Sequence, residues 1–148
     1  MIDLPDEAAA LAFGDRLAAV LRPGDAVTLS GPLGAGKTTI ARGLLAALGL
    51  AGEAPSPSYA IVQSYAPPEV RLPVLHVDLY RIEEEGELLE LGLDDARCDG
   101  VLLVEWPERV SARVFPDALC LTLVVAADGA RRLTAEVPLG WESRWPLT

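Results

Sequence analysis

A glycine-rich segment at residues 31–38 constrains this chain more than any other feature of its sequence. The segment reads GPLGAGKT and satisfies the pattern G-x-x-x-x-G-K-[ST] at every fixed position. Glycines let the backbone curl tightly, so that consecutive N–H groups point at one anion, a geometry that side chains would obstruct. Such a loop is expected between a strand and a helix, because the positive end of the helix dipole then acts on the same anion.

The flanking residues predict that arrangement. Residues 25–30 are short and partly β-branched, which favours a strand, and residues 38–48 read as a helix with Gly49 as its C-cap. Upstream, residues 4–21 have the pattern of an amphipathic helix that ends at a Pro-Gly pair. The glycine-rich segment therefore has the context of a phosphate-binding loop.

Two side chains of this loop predict a magnesium nucleotide as its ligand. Lys37 reaches the outer phosphates as a point charge, and the Thr38 hydroxyl can ligate Mg²⁺. Of the 12 basic residues, Lys37 is the only lysine. The sole lysine of the chain thus lies inside the loop.

A magnesium nucleotide also needs an acidic ligand, normally at the end of an apolar strand beside the loop strand. Glu105 closes the apolar run at residues 101–104, and Asp78 closes the run at residues 74–77. At least one of the two carboxylates is expected to face the metal. The other is then a candidate to orient the attacking water or to bind the metal through water.

The rest of the chain predicts a mixed sheet. Strands are expected at residues 60–64, 72–78, 101–104, 119–125 and 131–137, with a short helix before Gly92. The last two strands flank Asp128-Gly129, a strong hairpin signal. The predicted fold class is α/β: a P-loop NTPase-like, three-layer α/β/α domain with a mixed central sheet and a C-terminal β-hairpin, spanning residues 1–148.

Composition argues against several other classes of protein. The net charge of −10 disfavours direct binding of nucleic acid, which requires Lys and Arg to neutralise phosphates. Cys98 and Cys120 are isolated and His76 is the single histidine, so no structural zinc site is expected. The longest apolar segment, residues 118–127, is about half the roughly 20 residues that cross a bilayer. We expect a cytoplasmic protein with no membrane association.

Another segment is typical of nucleotide-dependent switches. Ser56 and Ser58 lie on a proline-stiffened stretch after the loop helix. Nucleotide-binding proteins often place there a segment that senses the outer phosphate, although such a stretch can also be an ordinary loop.

Several motifs together resemble one known family. The loop at residues 31–39, SPSY at 56–59, HVDLYR at 76–81 and VEWPE at 104–108 occur in the order and spacing of the TsaE (YjeE) family. These are small bacterial ATPases needed to make threonylcarbamoyladenosine in transfer RNA. The resemblance spans almost the whole chain.

The resemblance implies an ATPase that uses ATP and Mg²⁺, yields ADP and works with the TsaB and TsaD proteins. TsaD would transfer the threonylcarbamoyl group, turnover of this chain would reset the complex, and tRNA would be contacted only through the complex. By motif position, Thr38 and Glu105 would hold Mg²⁺, and Lys37 and Asp78 would support hydrolysis. The nucleotide-binding residues would be Gly34, Ala35, Gly36, Lys37, Thr38, Thr39 and Glu108.

Two positions depart from the family pattern. Pro32 stands where the family usually has Asp, which removes an amide donor and a charge, so the detailed loop geometry is open. Ser58 stands where the family usually has Thr and keeps the hydroxyl.

Other functions have weaker support in the sequence. A GTPase is disfavoured because Asp78 lacks the following glycine of a switch and no Asn-Lys-x-Asp guanine reader is present. A small-molecule kinase is the main enzymatic alternative, although an arginine-rich lid and room for a second substrate pocket are not evident. A binding module, in which ATP only sets the affinity for a partner and hydrolysis is negligible, is the alternative of a different class.

Overall fold

The computed structural model describes residues 2–52, 62–111 and 114–147, and a seven-stranded sheet lies at its centre. The strands are β1 (Ile2–Leu4), β2 (Ala26–Ser30), β3 (Val62–Tyr65), β4 (Val74–Asp78), β5 (Val101–Glu105), β6 (Leu119–Val125) and β7 (Arg131–Glu136). Their order across the sheet is β1-β7-β6-β2-β5-β4-β3. Strand β2 pairs in parallel with β5 and β6, and β4 pairs in parallel with β5, whereas β7 and β3 are antiparallel to their neighbours. The predicted mixed sheet is confirmed.

Two long helices cover one face of this sheet. They are α1 (Glu7–Val20), which the Asp6 side chain caps by accepting from the Ala9 amide at 2.8 Å, and α2 (Lys37–Ala47). The two helices approach closely at glycines. A Cβ added at Gly14 would lie 2.3 Å from the carbonyl oxygen of Ile40. This close packing fixes α2, and with it the loop that leads into α2.

Short helical segments cover the opposite face. They are the 3₁₀ segment Glu85–Leu91, helix α3 (Leu93–Ala96) and the 3₁₀ segment Pro107–Arg109; a further 3₁₀ segment, Leu139–Arg144, follows β7. The two faces share β5, whose residues are all buried. Alternate side chains of β5 belong to different cores: Leu103 packs with α1 and α2, and Leu102 packs on the other side. Strand β5 is therefore covered on both faces of the sheet, as its uninterrupted apolar run requires.

Most predicted elements occur, with shifts at their ends. Helix α2 begins one residue earlier than predicted, at Lys37, and Gly49 follows it with a φ of 115°. The predicted short helix is a 3₁₀ segment that ends at Gly92, whose φ is 67°. Strand β1 and the C-terminal 3₁₀ segment were not anticipated. The predicted switch with Ser56 and Ser58 lies outside the described residues.

Among the residues that the structure describes, no helix combines the length and the apolar character that crossing a membrane requires.

Candidate phosphate-binding site

The glycine-rich loop runs from the end of β2 to the first residue of α2, and its glycines adopt a backbone that other residues rarely allow. Gly31, Gly34 and Gly36 have φ values of 145°, 78° and 103°. A Cβ at Gly31 would also lie only 2.7 Å from the carbonyl oxygen of Leu123 in β6. The turn closes when the Ala35 amide donates to the carbonyl of Pro32 at 3.1 Å. Because Pro32 takes part as an acceptor, its missing N–H leaves this turn intact.

This loop lines a cavity of about 200 Å³. The lining residues are Leu33, Gly34, Ala35, Gly36, Lys37, Thr38, Thr39, Asp78, Glu105, Trp106 and Arg131. Of the predicted site residues, Glu108 lies outside this cavity; it is exposed and lines a neighbouring one of about 240 Å³. A larger cavity of about 350 Å³ lies beside α3 and contains none of the predicted site residues. All of the predicted site residues except Glu108 thus line the loop cavity.

The parallel register of β4 and β5 brings the two candidate carboxylates together. Asp78 is aligned with Glu105, each the last residue of its strand, and both are buried. The Thr38 hydroxyl donates to Oε1 of Glu105 at 3.1 Å. The first turn of α2 is therefore connected directly to the end of β5.

His76 contacts the other oxygen of the same carboxylate. Its Nε2 lies 2.7 Å from Oε2 of Glu105, with both side chains buried, and its Nδ1 makes no hydrogen bond. A neutral imidazole protonated on Nε2 satisfies this contact by donating to the carboxylate. Sequence reasoning counted His76 as the single histidine and as part of the segment HVDLYR, but assigned it no role at the site. The signal that it missed is the spacing of two residues to Asp78, which puts both side chains on one face of β4.

The ammonium group of Lys37 lies in apolar and acidic surroundings. It donates to the carbonyl of Gly31 and lies 3.4 Å from the centre of the Trp106 ring. Burial lowers the pKa of Lys37, although the charges of Glu105, Glu108 and Asp78 oppose that shift. Glu108 thus acts electrostatically on Lys37 from the neighbouring cavity.

Burial also acts on the carboxyl group of Asp78. Loss of hydration raises the pKa of Asp78; the Tyr80 amide, which donates to Oδ1 at 2.8 Å, opposes the rise, and the charge of Glu105 adds to it. A carboxylate that holds a proton more tightly than usual is a better base, which suits a group that orients water.

An aromatic pair borders the cavity and was not anticipated. Trp106 has a positive φ of 62°, and its ring lies 4.8 Å from that of Tyr80. The guanidinium of Arg109 lies 4.9 Å from the centre of the Tyr80 ring. The left-handed backbone at Trp106 turns the chain directly after Glu105 and places the indole over Lys37.

The donors around Thr38 fit a magnesium ion that is shared with a nucleotide. In the described ranges, no group of three or more His, Cys, Asp and Glu side chains forms a metal site by itself. Magnesium prefers oxygen ligands and is usually held by one or two carboxylates together with substrate phosphates. Thr38, Glu105 and Asp78 offer oxygen donors, and their two carboxylates face the single ammonium of Lys37.

Comparison with known proteins shows the family of this chain. The family model described as "Threonylcarbamoyl adenosine biosynthesis protein TsaE" matches residues 4–133. The chain belongs to the TsaE family. Among its relatives, the tRNA threonylcarbamoyladenosine biosynthesis protein TsaE of Streptomyces coelicolor is 40% identical over 90% of this chain and 91% of that protein. The protein of the same name from Bacillus subtilis is 38% identical over 88% of this chain and 79% of its own length.

A solved structure shares the fold. The crystal structure of YdiB from Bacillus subtilis superposes with a TM-score of 0.75 and 30% sequence identity, covering 90% of this chain and 82% of that chain. The TsaE-family match at residues 4–133 includes the loop, β4 and β5, which carry the candidate site.

Proposed function

We propose that this chain is a magnesium-dependent ATPase that serves the synthesis of threonylcarbamoyladenosine in tRNA. The observation that carries the proposal is the contact between the Thr38 hydroxyl and Glu105, which joins a glycine-rich loop to an acidic strand end. This pairing is the one that P-loop NTPases use to hold Mg²⁺ against the phosphates.

Different groups that line the loop cavity have different roles in hydrolysis. The amides of residues 34–39 and the ammonium of Lys37 bind the phosphate tail, and Asp78 orients the attacking water and accepts its proton. Thr38 and Glu105 would hold Mg²⁺, which, when bound, would neutralise charge that develops on the phosphates. Glu108 acts on the charge of Lys37 and would lie near the bound nucleotide.

The biological role follows from family membership. The relatives are named as tRNA threonylcarbamoyladenosine biosynthesis proteins. We propose that this chain acts with TsaB and TsaD in the cytoplasm, and that its turnover resets their complex. The net charge of −10 supports a division of labour in which other subunits bind the tRNA.

The test is a pair of measurements on purified protein. Calorimetry with ATP and Mg²⁺ should give a saturable binding heat, and phosphate release should rise when TsaB and TsaD are added. No binding heat from correctly folded protein would refute the assignment to nucleotide binding. Nucleotide-dependent capture of TsaB and TsaD without stimulated hydrolysis would instead indicate a binding module. Phosphate release that requires a small-molecule acceptor would indicate a kinase.

A further inference from the structure

His76 is a buried polar side chain that contacts the candidate site from behind. Its side chain is 1% exposed, and its Nε2 lies 2.7 Å from Oε2 of Glu105. Among the described residues that line the loop cavity, Glu105 is included and His76 is not. His76 can therefore act on a bound nucleotide or metal through Glu105, and not by direct contact.

The pairing of β4 with β5 explains how His76 reaches Glu105. Val74 belongs to the core beneath α1 and α2, and His76 follows it by two residues on the same face of β4. Leu103 belongs to the same core, and Glu105 follows it by two residues on β5. The parallel register aligns His76 with Leu103, so the imidazole reaches Glu105 diagonally across the two strands. The contact is therefore set by the sheet itself and not by a loop.

An imidazole is a poor choice for packing alone at this position. Its Nδ1 is buried and has no hydrogen-bond partner, which costs free energy relative to an apolar side chain. Val74 and Leu103 show that the surroundings accept apolar side chains. The polar group at position 76 therefore serves Glu105 rather than the core.

The carboxylate of Glu105 has a different partner on each oxygen. Oε1 accepts from the Thr38 hydroxyl at 3.1 Å, and Oε2 contacts His76. The terminal torsion of a glutamate side chain has broad preferences, so a single contact would leave the carboxylate free to turn. Contacts on both oxygens restrict that rotation and keep Oε1 beside Thr38. This matters for Mg²⁺, which demands near-ideal octahedral geometry, because hydrogen bonds to a ligating carboxylate help to orient it.

We propose that His76 is a positioning residue: by donating from Nε2 to Oε2, it holds the Glu105 carboxylate in the orientation that binds Mg²⁺ together with Thr38. The proposal rests on the proposed function, because it assigns the group that orients a ligand of the same metal. It extends the candidate site to a residue that touches neither the nucleotide nor the metal.

The first experiment compares three variants on one face of β4. His76→Met keeps an apolar side chain of similar size but has no donor for Glu105, whereas His76→Gln keeps an N–H donor close to the position of Nε2. Val74→Ala is the control, because it loosens the same core at the other end of β4. The metal probe is Mn²⁺, which takes the same oxygen ligands as Mg²⁺. Its affinity is measured by electron paramagnetic resonance, with a nonhydrolysable ATP analogue and protein in excess over the analogue.

The dissociation constant of Mn²⁺ should rise about 10- to 100-fold in His76→Met, which is the usual effect of removing a hydrogen-bond partner of a metal ligand. It should stay within about threefold of wild type in His76→Gln and in Val74→Ala. Without metal, in EDTA, the affinity for the analogue should be the same in all variants, because the loop amides and Lys37 are unchanged. Wild-type Mn²⁺ affinity in folded His76→Met, or an equal loss in His76→Gln or Val74→Ala, would overturn the inference while leaving the proposed function standing.

A second experiment uses the wild-type protein and keeps the proposal testable if His76→Met does not fold. His76 is the single histidine of the chain, so its ring signals in the untagged protein need no assignment. Nitrogen-15 NMR should show a proton on Nε2, and the Nε2–H signal should shift when Mg²⁺ is added to the protein with the ATP analogue bound. A proton on Nδ1 alone, or a signal that Mg²⁺ leaves unchanged, would overturn the inference. Wild-type protein that binds no analogue in the presence of Mg²⁺ would instead refute the proposed function.

Discussion

Charged side chains are buried at both ends of strand β2, but their partners differ between the two ends. At the start of β2, Asp25 accepts two hydrogen bonds from Arg144, at 2.7 and 3.1 Å, and a third from the Arg22 amide at 2.7 Å. At the end of β2, two buried carboxylates, Asp78 and Glu105, share the surroundings of one buried ammonium.

We interpret this difference as one between a structural ion pair and a candidate binding site. A buried charge is tolerated when its partner and hydrogen bonds match it, as Asp25 and Arg144 do. At the end of β2, burial raises the pKa of Asp78 and lowers the pKa of Lys37. Charged groups with pKa values perturbed in this way are typical of functional sites. Substitutions at the start of β2 should therefore act on stability, and substitutions at its end on binding and turnover.

The largest expected effect comes from breaking the ion pair between Asp25 and Arg144. Arg144→Met keeps an apolar stem beside Trp141, whose ring lies 3.8 Å from the guanidinium carbon, but leaves the Asp25 carboxylate buried and unpaired. The free energy of unfolding should fall by about 3–5 kcal/mol, measured by urea denaturation. The dissociation constant for ATP of the protein that remains folded should not change. If Arg144→Met instead had the unfolding free energy of wild type and a weakened affinity for ATP, the start of β2 would be a binding site rather than a structural ion pair.

The next largest effect is expected on ATP turnover, from a substitution at the end of β2. Lys37→Ala removes the ammonium that faces the loop cavity, and we expect turnover of ATP to fall by about 100- to 1,000-fold. Phosphate release measures the effect, and circular dichroism confirms that the variant is folded. Wild-type turnover in this variant would contradict the assignment of the loop.

Sequence reasoning predicted the part of the candidate site that is local in the chain. The loop is a contiguous pattern, and Asp78 and Glu105 each end an apolar run, so one segment at a time was enough to find them. The positions of Arg131 and Trp106 at the loop cavity were not predicted, because they depend on which strands are neighbours. Only the sheet order, with β6 and β7 beside β2, brings Arg131 to Gly34.

The same reason explains the missed structural pair. Arg144 and Asp25 are 119 residues apart, and their contact requires the C-terminal 3₁₀ segment to fold back on the start of β2. The sequence of that segment has neither strand nor helix periodicity, so the segment was not predicted. The core elements were predictable because their hydrophobic pattern is local, whereas long-range polar pairs were not.

Substitution of the aligned carboxylates distinguishes their roles. Asp78→Asn keeps an oxygen that can accept from the Tyr80 amide but loses the basic carboxylate. We expect turnover to fall by about 100-fold with ATP affinity preserved, measured by phosphate release and calorimetry. Loss of ATP affinity would instead make Asp78 a metal ligand or a structural residue.

Glu105→Gln should give a smaller effect of a different kind. Glutamine can keep an acceptor for the Thr38 hydroxyl, and its NH2 group can donate to His76 Nε2 if the imidazole proton moves to Nδ1, but it removes the charge that would attract Mg²⁺. The Mg²⁺ concentration for half-maximal turnover should rise about tenfold, while the affinity for ATP changes less. The unfolding free energy should fall much less than in Arg144→Met. A loss of stability as large as in that variant would show that both ends of β2 are structural.

The smallest expected effect tests whether an ion pair that is largely exposed to solvent also stabilises the start of β2. Arg97 donates to the Gly24 carbonyl and to Asp117, whose side chain is 61% exposed. The hydrogen bond from Arg97 lowers the pKa of Asp117 below its ordinary value of 3.8. The pair should therefore stabilise the fold above that value, and this contribution should be lost as the pH falls through the lowered pKa. Because solvent screens the pair, Asp117→Asn should cost about 0.5 kcal/mol or less at pH 7 by urea denaturation, and nothing at a pH below the lowered pKa. A cost close to that of Arg144→Met would mean that pairing rather than burial controls stability at this end of the strand.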